Sequence, residues 1–196
     1  RRLANRTLGI GCDQVLVIEP PTEADIDFNY RIFNQDGGEV EQCGNGARCL
    51  ARYVYDRQLT GKNPILVKTK NRVMTMHLEA NKLVRVDMGI PQLDPAQIPF
   101  QAEGPAARYD IDVAGETYQV AAVSMGNPHT LLQVDDVDTA PVETLGPELE
   151  CHARLPNRVN VGFMQIVDRN TIKLRVFERG VGETKACGSG ACAAAV

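Results

Sequence analysis

Cys43 and Cys187 each sit in a Cys-Gly-x-Gly-Ala turn, and the two turns belong to copies of one longer segment. Residues 31–49 read RIFNQDGGEVEQCGNGARC and residues 175–193 read RVFERGVGETKACGSGACA, aligned without a gap at an offset of 144. Eight of the 19 positions are identical: Arg31/Arg175, Phe33/Phe177, Gly38/Gly182, Glu39/Glu183, Cys43/Cys187, Gly44/Gly188, Gly46/Gly190 and Ala47/Ala191. Average residue usage gives about one match in such a window by chance. A duplicated half-domain explains the match, and a duplication that repeats a cysteine in a glycine turn suggests two thiols facing one site.

A cysteine placed just before Gly-x-Gly at a helix start sees unpaired backbone N–H groups and the positive end of the helix dipole. Both favour negative charge and are expected to lower the thiol pKa. The glycines let backbone N–H groups approach an anion such as a carboxylate. One such turn makes a nucleophile. Two point to a carboxylate held between both helix N-termini, with one sulfur on each face of the neighbouring carbon. One thiolate removes the Cα proton and the opposite thiol returns one. That is stereoinversion of an amino acid without pyridoxal phosphate, the developing enolate being stabilised by the two sets of N–H groups. A single cysteine beside glycine is more often a small core residue; the paired copy favours function. Cys12, Cys49, Cys151 and Cys192 are read as packing residues.

The elements that must position these turns follow from periodicity. Residues 15–18 form a short apolar strand, and 27–33 alternate so that Phe28, Tyr30 and Ile32 share a face. Gly37-Gly38 breaks that strand. After the Cys43 turn, residues 47–57 are helical through Leu50, Tyr53 and Val54, with Gly61 closing the helix. Strands are expected at 65–69, 73–78 and 83–88. Four prolines between Gly89 and Pro105 mark a domain boundary. Beyond it, strands are expected at 109–113, 117–123, 130–134, 159–167 and 171–178, and a helix at 141–152. A small-residue helix at 191–196 follows the Cys187 turn. The fold class is α+β: two pseudo-symmetric, strand-rich domains, residues 1–88 and 89–196, each wrapped around a helix.

Composition narrows the setting. The chain has 196 residues, 43% hydrophobic and 23% charged, with a net charge of −4. Interspersed charges disfavour nucleic acid or an anionic membrane as partner. No apolar run reaches transmembrane length, and no signal peptide is visible. The 6 cysteines form no C-x-x-C pair and there are 3 His, so zinc spacing is absent. A cytoplasmic protein with free thiols and no metal is expected. The chain begins at Arg1 without Met and stops inside a starting helix, so both ends read as cuts.

Two further segments carry polar groups. In Ser124-Met-Gly-Asn-Pro-His129 the histidine could tune a thiol, although spacing alone makes it a turn histidine. Asn157-Arg-Val-Asn160 could offer amide and guanidinium donors to a carboxylate, although alone it reads as a loop entering a strand. Glu178 and Arg179 stand where the first copy has Asn34 and Gln35, as they would if the two halves read different ends of a substrate.

Together these motifs resemble the diaminopimelate epimerase family. The match runs through Gly9-Ile-Gly-Cys-Asp-Gln14, Phe33-Asn34-x-Asp36-Gly37, Gln42-Cys-Gly-Asn-Gly-Ala-Arg48, Gly126-Asn-Pro-His129, Asn157-Arg-Val-Asn160, Phe177-Glu-Arg-Gly180 and Thr184-x-Ala-Cys-Gly-Ser-Gly190, in family order. The resemblance implies the diaminopimelate epimerase-like fold. It implies interconversion of LL- and meso-2,6-diaminopimelate, toward lysine and peptidoglycan precursors, without a cofactor and by a homodimer. It implies Cys43 and Cys187 as the acid/base pair. Gly44, Asn45, Gly188 and Ser189 would hold the carboxylate at the reacting carbon. Gln14, Asn34, Asn127, Asn160, Glu178 and Arg179 would bind the rest, Arg179 taking the distal carboxylate. His129 and Glu178 would adjust the thiol pKa values, which reverses the spacing-based reading of His129. The family extends past this chain at both ends, so each domain is expected to be incomplete and the piece by itself poorly folded or inactive. Two rivals stand beside this reading: a proline-racemase-like enzyme with the same two-thiol logic, and a redox or metal-binding protein using the same cysteines. Arg179 and the Asn residues argue for a substrate with a second charged end, and so against the first rival.

Overall fold

A strand whose Tyr30 and Ile32 are buried and whose Arg31 is exposed organises the first half of the chain. The computed structural model describes residues 1–40 and 43–196; Gln42 of the first cysteine motif lies outside the described residues. The chain divides into two units, Arg1–Gly89 and Ile90–Val196.

In the first unit β1 (Gln14–Glu19) pairs antiparallel with β2 (Phe28–Asn34), which also carries the short β3 (Glu39–Val40). The sheet continues through β4 (Ile65–Lys68), β5 (Val73–Leu78) and β6 (Val84–Val86), in the order β1-β2-β4-β5-β6. Helix α1 (Gly44–Asp56) packs on this sheet through Ala47, Leu50, Ala51 and Val54, the i, i+3, i+4, i+7 stripe of a helix with one buried face. It starts three residues earlier than periodicity predicts. Gly44 and Gly46 are poor helix formers, yet Cys43 caps them: it is extended at φ −146°, and its Sγ accepts from the Gly46 N–H at 3.3 Å. Gly61 does not close the helix, which ends at Asp56. Tyr53, expected on the packed face, is exposed.

The second unit begins with the proline-rich segment, which packs into that unit: Ile98 and Phe100 are buried in its core, Phe100 edge-on to Tyr109 at 4.8 Å. Strands β7 (Tyr109–Val113), β8 (Glu116–Ser124) and β9 (Pro128–Gln133) form an antiparallel meander. Helix α2 (Val142–Glu150) then crosses over, so β10 (Asn160–Asp168) pairs parallel with β9, as a helical crossover requires. The hairpin partners β11 (Thr171–Glu178) and β12 (Gly182–Thr184) complete the order β12-β11-β10-β9-β8-β7. Val142, Leu145 and Leu149 of α2 pack with Leu132, Val161 and Phe163 on one face. Alternation puts His129 and Asn160 on the other face, where α3 (Gly188–Ala195) starts beside His129.

The fold is therefore α+β, with strand-rich units built on one recurring module. β1-β2-β3-α1 and β10-β11-β12-α3 share a register: Val15 opposes Phe33 as Val161 opposes Phe177, and Phe33 opposes Glu39 as Phe177 opposes Glu183. The identical Arg/Glu positions make the same two-pronged ion pair twice, Arg31 Nε–Glu39 at 2.8 Å and Arg175 Nε–Glu183 at 2.6 Å. Among the described residues no cysteine is joined in a disulfide. Cys49 and Cys151 are exposed, not packing residues as expected; Cys49 faces away from the α1 stripe and Cys151 ends α2.

Candidate active site

The cysteine of each module is the N-cap of a helix in extended backbone, Cys43 for α1 and Cys187 for α3. Both sulfurs are partly buried. The shape of the module explains this. Each helix packs back onto its sheet from the capping cysteine, and in the first module the Gly46 N–H opens toward the Cys43 sulfur.

In the first unit, Gly46 is needed for close approach. A Cβ there would lie 2.1 Å from the Tyr30 hydroxyl and 3.1 Å from a Leu16 methyl. Gln14 and Asn34 oppose one another across β1 and β2, and Gln14 Nε2 donates to Asn34 Oδ1 at 3.0 Å. Asn45 accepts from the Arg48 guanidinium one turn on. The structure thus brings Gln14 together with Asn34, and places Gly44 and Asn45 in the first turn of α1 after Cys43.

In the second unit, Ser189 is the centre of a polar cluster. Its Oγ accepts from Asn127 Nδ2 at 3.2 Å, lies 3.0 Å from His129 Nε2, and lies 3.5 Å from Cys187 Sγ. His129 Nε2 is also 3.2 Å from Asn127 Oδ1. The Ser124–Pro128 turn that carries Asn127 needs Gly126 at φ +89°. Asn160 is the neighbour of His129 across the parallel pair; its Nδ2 donates to Pro128 O at 2.8 Å and its Oδ1 accepts from the Arg179 backbone N–H at 3.0 Å. The Arg179 guanidinium donates to Asn157 O at 3.3 Å. Glu178 accepts from the Thr184 hydroxyl. Register makes Asn160 the counterpart of Gln14.

Electrostatics differ from the helix-dipole expectation. Burial first, then the Glu178 carboxylate, push the Cys187 thiol up to about 11, while the Ser189 hydroxyl and the backbone at Gly190 pull it the other way. The expectation of a lowered thiol fails here because desolvation disfavours the thiolate more than one short helix terminus favours it. Cys187 is protonated at neutral pH. His129 is fully buried, and burial, followed by the Arg179 charge, pushes it down to about 3. It is a neutral imidazole that reaches Cys187 through Ser189.

Glu150 escapes a reading by motif. Its buried carboxylate accepts from the Gly180 N–H at 2.7 Å and so holds the turn after Arg179. An acid in the buried stripe of α2, beside Leu145 and Leu149, is the signal that marks it. Among the described residues, no group of three or more His, Cys, Asp or Glu side chains could hold a metal ion, and no helix is long and apolar enough to cross a membrane.

The family model of diaminopimelate epimerase matches residues 1–93 and 121–196. The chain is 58% identical over 196 residues to a diaminopimelate epimerase of Ectopseudomonas mendocina (strain ymp), covering all of this chain and 71% of that protein. It is 57% identical, with the same coverage, to one of Pseudomonas syringae pv. tomato. The chain belongs to the diaminopimelate epimerase family. Among solved structures it is similar to a probable proline racemase from Agrobacterium radiobacter K84 with bound carbonate, at a TM-score of 0.68 and 16% identity over 96% of this chain and 61% of that one. It is also similar to a predicted epimerase from Pseudomonas aeruginosa, at 0.59 and 19% over 93% and 65%. The chain spans less than two thirds of these solved proteins, and at such identity the likeness speaks to fold alone. With the diaminopimelate epimerases, by contrast, the match spans the whole of this chain.

Proposed function

We propose that this protein is a cofactor-independent epimerase that interconverts LL- and meso-2,6-diaminopimelate, a step toward lysine and peptidoglycan precursors, in the cytoplasm and as a homodimer. The observation that carries the reading is the recurring module: two cysteines, each the N-cap of a helix opening Gly-x-Gly, in a chain 58% identical to a diaminopimelate epimerase. In this reading residues 1–88 and 89–196 are the two halves of one catalytic unit, and the two half-sites close on a single α-carbon.

Cys43 and Cys187 are the acid/base pair. Cys187, pushed up to about 11, is the thiol of the resting pair, and Cys43 is the base; Asn34, a neutral amide, occupies the position that Glu178 has near Cys187. The Cys43 thiolate takes the α-proton. The electron pair left on carbon delocalises into the carboxylate, whose oxygens accept from N–H groups of Gly44, Asn45, Gly188 and Ser189. Cys187 then delivers its proton to the opposite face. The product leaves a Cys43 thiol and a Cys187 thiolate, the state needed for the reverse reaction. Gln14, Asn34, Asn127, Asn160, Glu178 and Arg179 hold the rest of the substrate, with the Arg179 guanidinium on the distal carboxylate. His129 acts on Cys187 through Ser189, and Glu178 acts on it by charge.

The test is incubation with LL-diaminopimelate in deuterated water. One solvent deuteron should enter a single α-carbon as the meso isomer forms. Proline offered in parallel should not turn over; racemisation of proline without exchange into diaminopimelate would overturn the assignment of substrate.

A further inference from the structure

Tyr30 is among the largest fully buried side chains, packed in the core between β2 and α1, and its hydroxyl has no hydrogen-bond partner among the described residues. Phenylalanine would fill the same space without burying an unpaired polar atom. The hydroxyl's position says what it touches. It abuts the bare Cα of Gly46, where any Cβ would come within 2.1 Å of the oxygen. Gly46 is the residue whose N–H donates to Cys43 Sγ at 3.3 Å. The phenol stays protonated, because burial and then the nearby Cys43 push its pKa upward.

The second module is built differently at this point. The repeat puts Leu174 where the first has Tyr30, so no hydroxyl rises from the strand, and a Cβ at Gly190 would meet Val176 at 3.1 Å. Its hydroxyl comes instead from Ser189, at the position of Asn45, and stands 3.5 Å from Cys187 Sγ. Each cysteine therefore has one hydroxyl at the first turn of its helix, supplied from a different side.

We propose that Tyr30 is a positioning residue for Cys43: its buried hydroxyl braces Gly46 so that the Gly46 N–H stays aimed at the Cys43 sulfur, the first unit's counterpart of Ser189 beside Cys187. This rests on the reading of Cys43 as an acid/base group. Bracing by contact needs no hydrogen bond to sulfur. It acts through the Gly46 N–H that donates to the thiol, and it gives a role to a hydroxyl where a ring alone would pack.

The experiment is Tyr30→Phe in the protein, with alkylation of each cysteine by iodoacetamide followed by peptide mass spectrometry. Cys43 should react about three- to tenfold more slowly than in the parent, with Cys187 unchanged and the thermal melt equal or higher. Epimerase kcat should fall with KM unaltered. Gly46→Ala and the double variant complete a cycle: Tyr30→Phe should recover part of the Cys43 reactivity that Gly46→Ala removes. A folded Tyr30→Phe variant that alkylates Cys43 at the parent rate overturns the proposal, as do additive losses in the cycle. Alkylation needs no diaminopimelate, so Tyr30-dependent Cys43 reactivity in a protein that does not exchange deuterium would sink the epimerase reading and leave this one standing.

Discussion

The Ser189 hydroxyl lies 3.0 Å from His129 Nε2, joining two residues 60 apart in sequence. One is the second residue of α3 and the other lies in β9. The contact connects a neutral, buried imidazole to the Cys187 thiol without bringing a second charge to the sulfur. Proton affinity at Cys187 is thus set by burial and by Glu178.

Glu178→Gln tests that balance. Removing the carboxylate removes a cause that raises the Cys187 pKa, so the titration midpoint should move below about 11. In a Cys43→Ser background, alkylation of Cys187 at fixed pH should become faster. In the otherwise unaltered protein, turnover should fall, because a substrate contact is lost and the Cys187 thiolate becomes a weaker base for the reverse direction. An unmoved Cys187 titration would show that Glu178 does not act on the sulfur.

His129 makes a prediction about stability. Its pKa is pushed from 6.5 to about 3 in the folded protein. Between those values the unfolded chain holds a proton that the folded chain does not, so stability rises with pH across the window. The contribution is complete above 6.5 and is lost as pH falls toward 3. Thermal melts taken from neutral pH downward should decline, and His129→Gln should flatten that decline. Equal slopes in parent and variant would mean that other groups carry the acid sensitivity.

Serine at either cysteine should abolish most epimerisation. General acid–base catalysis contributes about 10²–10⁴-fold, and a hydroxyl is a far weaker base than a thiolate. Both Cys43→Ser and Cys187→Ser should lose activity in both directions, since each direction needs one base and one acid. A variant that keeps near-parent rates both ways would make its cysteine structural.

The duplicated ion pairs should not weigh equally. Arg31→Met removes an exposed pair, and exposed pairs contribute little. Arg175→Met also strips the Nη1 donor from Val137 O at 3.1 Å and Asp138 O at 3.4 Å. Melting temperature should fall more for Arg175→Met, and raising salt should narrow the difference between parent and Arg31→Met. Equal shifts would deny the anchoring role of Arg175.

Much of this was legible from the chain alone. The gapless repeat located both cysteines in one recurring module, and the structure added the shared hairpin register through the short strands β3 and β12. Cys43 and Cys187 as helix caps followed from Gly-x-Gly, since local backbone chemistry decides where a first helical turn opens. Such local rules also misplaced the helix starts and put Tyr53 inside, because Tyr53 lies at the edge of the stripe of Ala47, Leu50, Ala51 and Val54, where the reach of the packed sheet decides burial. The rest needed tertiary structure. The crossover through α2 sets His129 beside Asn160, which no spacing announces. The buried Tyr30 hydroxyl under Gly46 depends on how α1 lies on β2. Above all, sequence pointed to a thiol made more acidic by its helix, and the fold made Cys187 less acidic. A helix terminus acts within one turn and can be read from neighbours in the chain, whereas desolvation sums over everything packed around the sulfur and exists only once the fold has closed.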